Sequence, residues 1–328
     1  MPAKKNCCFL SFDYVDFDVF LNTRIFYRLA GYSILSAEKS SLCDLLVIFR
    51  GIPPRIYMEY TGPIHFYDYV REHSINLSDY FPNACSITVI SIDISDHDSS
   101  SVISVHGYLP VFPGLWQLSI PYSRRTSRPL HISNYKPLAD DPYQQQLITL
   151  IKAGIIHVYG AKWDRIQVKA RPLSYLSANL KLASASLCFG LMYPYQRGKS
   201  LSGRMWQAPL QGCIVISENN TNSFSCPGVY EVSSYAESFS LDCMSPSELA
   251  SEAAHFWITK TQCLAVDLNL SLNWNALPQE VAYARVLMLR QHCEFLWDLL
   301  FAKRIIIYGR RISTLIRALR RKLPNLGS

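Results

Sequence analysis

No stretch of this 328-residue sequence holds the roughly 18 consecutive apolar residues that would span a bilayer. The opening MPAKKNCCFLSFDYVDFD has no uninterrupted apolar core, because acids break it within a few residues, so no secretory signal is expected. The ten cysteines form no CxxC pair and follow no regular spacing, which argues against a disulfide framework and a zinc site and points to a reducing compartment. The sequons at Asn76, Asn219 and Asn269 then carry no meaning for glycosylation. Neither an internal repeat nor a low-complexity segment is present. Residues 301–328 lack any acid and hold eight Lys/Arg, so the formal charge of +7 belongs to this tail, and 24 basic residues face 25 acidic ones over the rest. A nucleic-acid binder usually carries its basic excess on the folded domain beside aromatics or a known module. No nucleic-acid partner is expected on this ground.

What is present reads as two α/β halves, in keeping with the length of about two domains. Residues 7–12 form an apolar strand, 15–29 a helix stopped near Gly31, and 32–35, 45–49, 55–60 and 86–92 further strands. Prolines 110, 113, 121 and 129 with Arg124, Arg125 and Arg128 mark a linker. The second half opens with a strand at 130–133 and a helix announced by Asp141-Pro142-Tyr143-Gln144, which combines a cap, a proline in the first turn and an amide at the third position. Strands at 155–159 and 185–190 follow. Ser245-Pro246-Ser247-Glu248 is a capping box opening a helix to about Trp257, and helices are expected at 278–300 and 302–322. Alternating strands and helices imply parallel sheets.

The segment SLSGRMWQAPLQGCIVISE (200–218) carries the most chemistry. Met205, Trp206 and Leu210 fit one face of a short helix that Ser202 is placed to cap; Gly212 stops it, and Cys213–Ile216 is a buried-strand run. The start of that helix is an anion site preceded by Arg197, Gly198 and Lys199.

HVYGAKWDRI (157–166), YLSANLKLASASLCFG (175–190) and GKSLSGRMWQAPLQGCIVISE (198–218) together resemble the C-terminal half of GT-B glycosyltransferases, nearest in pattern to the spore-maturation and exostosin-like groups. The likeness covers roughly residues 129–258; the N-terminal half is compatible in architecture only. It implies an α/β protein with two Rossmann-like domains facing a cleft: an acceptor-side domain at 1–115, a linker at 116–128, a nucleotide-sugar domain at 129–277, and C-terminal helices with the basic tail at 278–328. Arg204 falls on the motif arginine, Trp206 on its aromatic and Gly212 on its glycine. Gln207 stands where many members place a glutamate that holds the donor, and Lys199 stands where retaining families carry a second. The implied activity is transfer of a sugar from a nucleotide-sugar donor to a glycan or lipid-linked acceptor, in the setting of surface-polysaccharide or glycoconjugate assembly. Neither a metal nor a cofactor is expected, because backbone amides and Arg/Lys stabilise the leaving diphosphate in this class.

By the rule that ligands sit at the carboxyl ends of parallel strands, the donor site is expected to include Asn134, Tyr135, Gly160, Lys162, Arg197, Lys199, Ser202, Arg204 and Gln207. An inverting transferase also needs a base for the acceptor proton; Asp13, Asp16 and Glu59 are the candidates in the first half. Two alternatives stand beside this reading. One is a non-catalytic nucleotide- or partner-binding protein on the same fold. The other is a metal-dependent GT-A enzyme using Asp96 and Asp98, against which the three serines that follow favour a surface turn.

The tail places apolar residues at 312, 315, 316, 319 and 323, a helical stripe, with Arg310, Arg317 and Arg321 off it. Such a helix over 302–322 suits an anionic membrane surface, which makes the expected location cytoplasmic with contact at the inner face. Packing of the same stripe on the first domain is the competing reading.

Overall fold

The computed structural model describes residues 5–12, 16–49, 53–68, 76–91, 102–107, 109–118, 125–126, 128–138, 140–191, 203–218, 226–235 and 245–322, with backbone alone from residue 301 onward. Two sheets, each wholly parallel among these residues, account for the α/β pattern. The first holds β1 (Asn6–Leu10), β2 (Ser33–Leu35), β3 (Leu45–Ile48), β4 (Pro63–Tyr67), β5 (Ser86–Ser91) and β6 (Val102–His106), in the order β2-β1-β3-β4-β5-β6. The second holds β7 (Leu130–Ile132), β8 (His157–Tyr159), β9 (Leu187–Gly190), β10 (Ile214–Glu218) and β11 (Val229–Val232), in the order β11-β10-β9-β7-β8. Both sheets wind alike: the first strand of each lies between its second and third. Each therefore has a point where the connections reverse, between β1 and β3 and between β7 and β9, and such a point opens a crevice at the carboxyl ends of the strands.

The strands form where β-branched and aromatic residues run together. Cys7, Cys8, Leu45–Ile48, Ile64 and Val215–Ile216 are all buried, as befits strands covered on both faces. Helix α1 (Phe17–Leu29) turns Leu21, Ile25 and Leu29 to the core, and Asp18 and Asn22 lie on the same buried side. Helices α3 (Pro142–Lys152) and α6 (Pro246–Asp267) start on the capping signals read from the sequence: Asp141 accepts from the Gln144 amide at 2.8 Å, and the Ser245–Glu248 capping box is complete. Gly212 follows α5 (Arg204–Leu210) at φ +70°, where a Cβ would collide with the Pro246 carbonyl.

Four elements differ from expectation. Residues 55–60 are not a strand: Arg55 pairs with Glu59 at 3.3 Å, an i,i+4 reach that an extended chain cannot make, and Ile56 and Met58 are exposed. The strand forms instead at Pro63–Tyr67, where the proline occupies the first position and breaks no ladder. The region read as linker holds a short helix, α2 (Pro113–Trp116), whose Leu115 and Trp116 are fully buried, and β6 precedes it. Helix α6 continues ten residues past Trp257 because neither glycine nor proline interrupts it. The two expected C-terminal helices are one, α7 (Leu277–Lys322), since Gly309 costs only about 1 kcal/mol inside a helix and no proline follows until Pro324.

The halves are joined by buried polar contacts. The Asn22 side-chain oxygen accepts from the Phe112 amide at 3.0 Å and the Trp116 indole at 3.3 Å, while Asn179 donates to the Trp116 carbonyl at 2.7 Å. Gln211 donates to that carbonyl and to Asn179 Oδ1. Helix α7 crosses back to the first domain, where Glu280 accepts from both Arg24 and Arg28 at 3.0 Å with little solvent access. Replacing Glu280 with alanine strands two arginines, so a stability loss of about 1–3 kcal/mol is expected. Thermal unfolding checks it, and a Glu280→Asp variant should recover part of the loss.

Candidate active site

A cavity of about 610 Å³ opens between the two sheets at their carboxyl ends. Asp16, Asp18 and Val19, which follow β1, form one wall with Leu109. The opposite wall is built from the segments after β7 (Ser133–Lys136), β8 (Gly160, Ala161, Trp163) and β9 (Leu191), with the start of α5. Helix α4 (Tyr175–Ala183) and Phe295 of α7 complete the rim.

The floor lies at the reversal point of the second sheet. Arg204 donates through Nη1 to the Ile132 carbonyl at the end of β7 and through Nη2 to the Leu191 carbonyl past the end of β9, at 3.1 Å. Its Nε is buried without a hydrogen-bond partner. The guanidinium thus clamps the two strands that diverge there and still has unused donors. Beside it, His131 donates from Nδ1 to the Phe189 carbonyl at 2.7 Å, and burial, then Arg204, pushes its pKa down to about 3. The imidazole is neutral near pH 7, so among the described residues positive charge in this wall comes from Arg204 and, at the exposed edge, Lys136. The chain approaches itself closely here: Gly160 has φ +139°, and a Cβ on it would collide with the Ser133 carbonyl. The Asn134 side chain accepts from the Ala161 amide at 2.8 Å, and the Trp163 indole donates to the Ser133 carbonyl at 2.7 Å, which fixes the loops after β7 and β8 to each other.

The facing wall is acidic. Asp18 sits in the first turn of α1, 4 % exposed, with Oδ2 accepting from Gln207 across the cleft at 3.0 Å and Oδ1 buried with no hydrogen-bond partner. Burial, and secondarily the neighbouring Asp16, pushes its pKa up to about 7. Gly203 makes room for this carboxyl group, since a Cβ there would stand 2.6 Å from Asp18 Oδ2. A glutamate at position 207 would set a second buried carboxylate against Asp18; glutamine gives a donor instead.

Of the residues singled out from sequence, Asp16, Asn134, Tyr135, Gly160, Arg204 and Gln207 line this one cavity. Lys162 is exposed beside it with φ +67°, and is not among the lining residues. Glu59 is half-exposed in its turn with Arg55 and lies away from the cavity, because the strand that was to present it does not form. Asp13, Arg197, Lys199 and Ser202 lie outside the described residues, as do Asp96 and Asp98. Among the described residues no cluster of His, Cys, Asp and Glu is placed to hold a metal ion. Asp18 and His131 were not anticipated. Asp18 recurs with Leu21, Asn22 and Ile25 at helical spacing, and an acid on an apolar stripe was the available signal.

No protein-family model matches the sequence, and no curated protein matches it. The fold has clear counterparts among solved structures. A DNA-modifying β-glucosyltransferase, solved with and without its substrate uridine diphosphoglucose, superposes with a TM-score of 0.53 over 86% of this chain and 98% of its own, at 10% identity. AviGT4, a glycosyltransferase of avilamycin A biosynthesis, gives a TM-score of 0.53 over 85% and 98% at 11% identity. The chain has the GT-B fold, as the resemblance over 129–258 implied at the level of class. The first of these neighbours also corrects one expectation: a DNA-modifying enzyme shares this architecture, so the near-neutral body of the chain does not exclude a nucleic-acid acceptor.

Proposed function

We propose that this chain is a glycosyltransferase that takes a sugar from a nucleotide-sugar donor, with a uridine-diphosphate sugar as the first donor to test. The observation that carries the reading is the division of charge across one cleft. Arg204 stands at the reversal point of the second sheet, where a leaving diphosphate would be stabilised, and a buried carboxyl group with a pKa near neutrality faces it from the first domain. The neighbours' names add support, since one has uridine diphosphoglucose as its substrate and the other is named a glycosyltransferase.

In this reading the donor's diphosphate lies against Arg204 and the loops after β7 and β8, among them Asn134, Tyr135 and Gly160, with the segment of Arg197, Lys199 and Ser202 in the same role. The likeness to the spore-maturation and exostosin-like groups, on Arg204, Trp206 and Gly212, belongs to the same proposal. Asp18 is the base. Ionised, it accepts the proton of the acceptor hydroxyl as that oxygen attacks the anomeric carbon; the bond from carbon to the diphosphate oxygen breaks, and its electron pair leaves with the diphosphate. A base facing the donor across the cleft favours inversion. Gln207 holds one carboxylate oxygen; the other is buried without a hydrogen-bond partner, and the incoming hydroxyl must reach it from the cavity that Asp18 lines. The leaving group is handled by Arg204 and by backbone donors, and the reaction proceeds without a divalent metal.

Two measurements test this together. Thermal unfolding should shift upward with uridine diphosphate and its sugar conjugates, and release of the nucleoside diphosphate from the right donor should persist in EDTA. A chelator-sensitive activity restored by manganese would move the chemistry to Asp96 and Asp98. Binding without any transfer or donor hydrolysis would leave a nucleotide-binding protein on this fold.

A further inference from the structure

Helix α7 has two apolar faces. One packs on the body through Ala284 and Met288, both buried, and reaches the cavity rim with Phe295. The other faces away: Val286, Leu289, Trp297 and Leu300 are 61%, 52%, 65% and 58% exposed, with Leu296 at 42%. At 100° per residue these positions cluster opposite Ala284 and Met288, so the exposed stripe is a designed second face and not the edge of the packed one. Glu294 and Asp298 fall to one side of it, Glu294 being paired with Arg290 at 2.9 Å.

We infer that this outer face of α7 docks on an anionic lipid surface. Charge complementarity selects that occupant: the helix runs on unbroken from Phe301 to Lys322, about 33 Å further, through a sequence with eight Lys/Arg and no acid. Two copies of such a tail side by side would repel each other. Duplex nucleic acid would answer the charge but leave the exposed Leu296 and Leu300 in water. A lipid interface satisfies both, since the rings and aliphatic side chains enter the headgroup region while the basic residues meet anionic headgroups. Among the described residues no helix is long and apolar enough to cross a membrane, so the contact is peripheral through this face.

The placement also bears on the acceptor. Phe295 lines the cavity, and Ser174 of the same rim is held to α7 by a 2.6 Å hydrogen bond with His292 Nδ1. Trp297 and Leu300 lie within about one and a half turns of Phe295 but on the opposite side of the helix, so docking would hold the cleft mouth one helix diameter, about 10 Å, from the lipid headgroups. An acceptor whose head projects that far from its lipid could then enter without leaving the surface. That consequence rests on the transferase reading; the docking does not.

The test is co-sedimentation of the full chain with phosphatidylglycerol vesicles and with phosphatidylcholine vesicles, alongside a Trp297→Glu/Leu300→Glu variant. Both sites are exposed, and an unchanged melting temperature and nucleotide-induced thermal shift would show that the variant's fold and donor site are intact. The expected result is binding to the anionic vesicles that falls at least roughly tenfold in the variant and weakens in about 0.5 M salt. No binding to anionic vesicles, or binding that the two glutamates leave unchanged, overturns the inference. So does a concentration-dependent dimer that the variant dissociates while vesicles are ignored, or binding to duplex DNA in place of vesicles. None of these outcomes depends on transfer activity, so failure of the transferase reading would be seen separately.

Discussion

An Asp18→Asn variant is expected to lose roughly 100- to 10,000-fold in turnover while binding uridine diphosphate about as well as the parent. The carboxyl group is buried, faces the donor wall and has one oxygen with no hydrogen-bond partner, so asparagine preserves its shape and the contact with Gln207 but removes the proton acceptor. The parent's rate should rise with pH through about 7, where Asp18 ionises, and the variant's residual rate should lack that limb. Stability moves the opposite way. In the unfolded chain the same group titrates near its usual 3.8. Between that value and about 7 the folded state holds a proton the unfolded state has released, so stability falls as pH rises through this window and the loss is complete above it. Asparagine escapes the penalty. At about pH 8 the variant should therefore melt higher than the parent, by an amount that shrinks toward about pH 4. Full activity in Asp18→Asn would remove Asp18 as the base, and a melting difference independent of pH would show that the carboxylate is not penalised by burial.

The gross organisation of this chain was legible because it is written in local signals. The caps at Asp141 and Ser245, the glycine after α5 and the apolar runs at 45–48 and 214–216 each act within a few residues, and each appears where its chemistry requires. The wall of the cavity at the second sheet was legible for a related reason, since Asn134 and Gly160 follow strand ends directly and Arg204 opens the short helix before β10. What escaped depends on contacts between distant residues. Val102–His106 becomes a strand because it pairs with β5 at a sheet edge, although the serines before it read as a turn. Asp18 reads locally as an ordinary acid in a first helical turn; only the approach of Gly203 and Gln207, nearly 190 residues later, turns it into a buried group of raised pKa. Glu59 failed in the reverse direction, for an i,i+4 partner at Arg55 was visible in the sequence and favoured the turn.

Arg204 joins the fold and the site, and its removal should damage both. Its two terminal nitrogens hold the carbonyls of Ile132, the last residue of β7, and Leu191, the first past β9, where the two strands part at the floor of the cavity. An Arg204→Ala variant leaves those acceptors without a donor beside a void, which should cost about 2–4 kcal/mol of stability. The same change removes the one formally charged side chain that the described residues place at the floor of this wall, and a charge-assisted contact to a diphosphate is worth on the order of 1.5–3 kcal/mol, or roughly ten- to a hundredfold in affinity. Arg204→Lys separates the two effects. Lysine keeps the positive charge but cannot span both carbonyls with a planar fork, so it should recover much of the affinity and little of the melting temperature. Calorimetric titration with uridine diphosphate, at a temperature where all three proteins are folded, supplies the decisive comparison. If alanine lowers stability yet binds the diphosphate as tightly as the parent, Arg204 is a strand clamp only, and the leaving group must be met by the segment around Arg197 and Lys199.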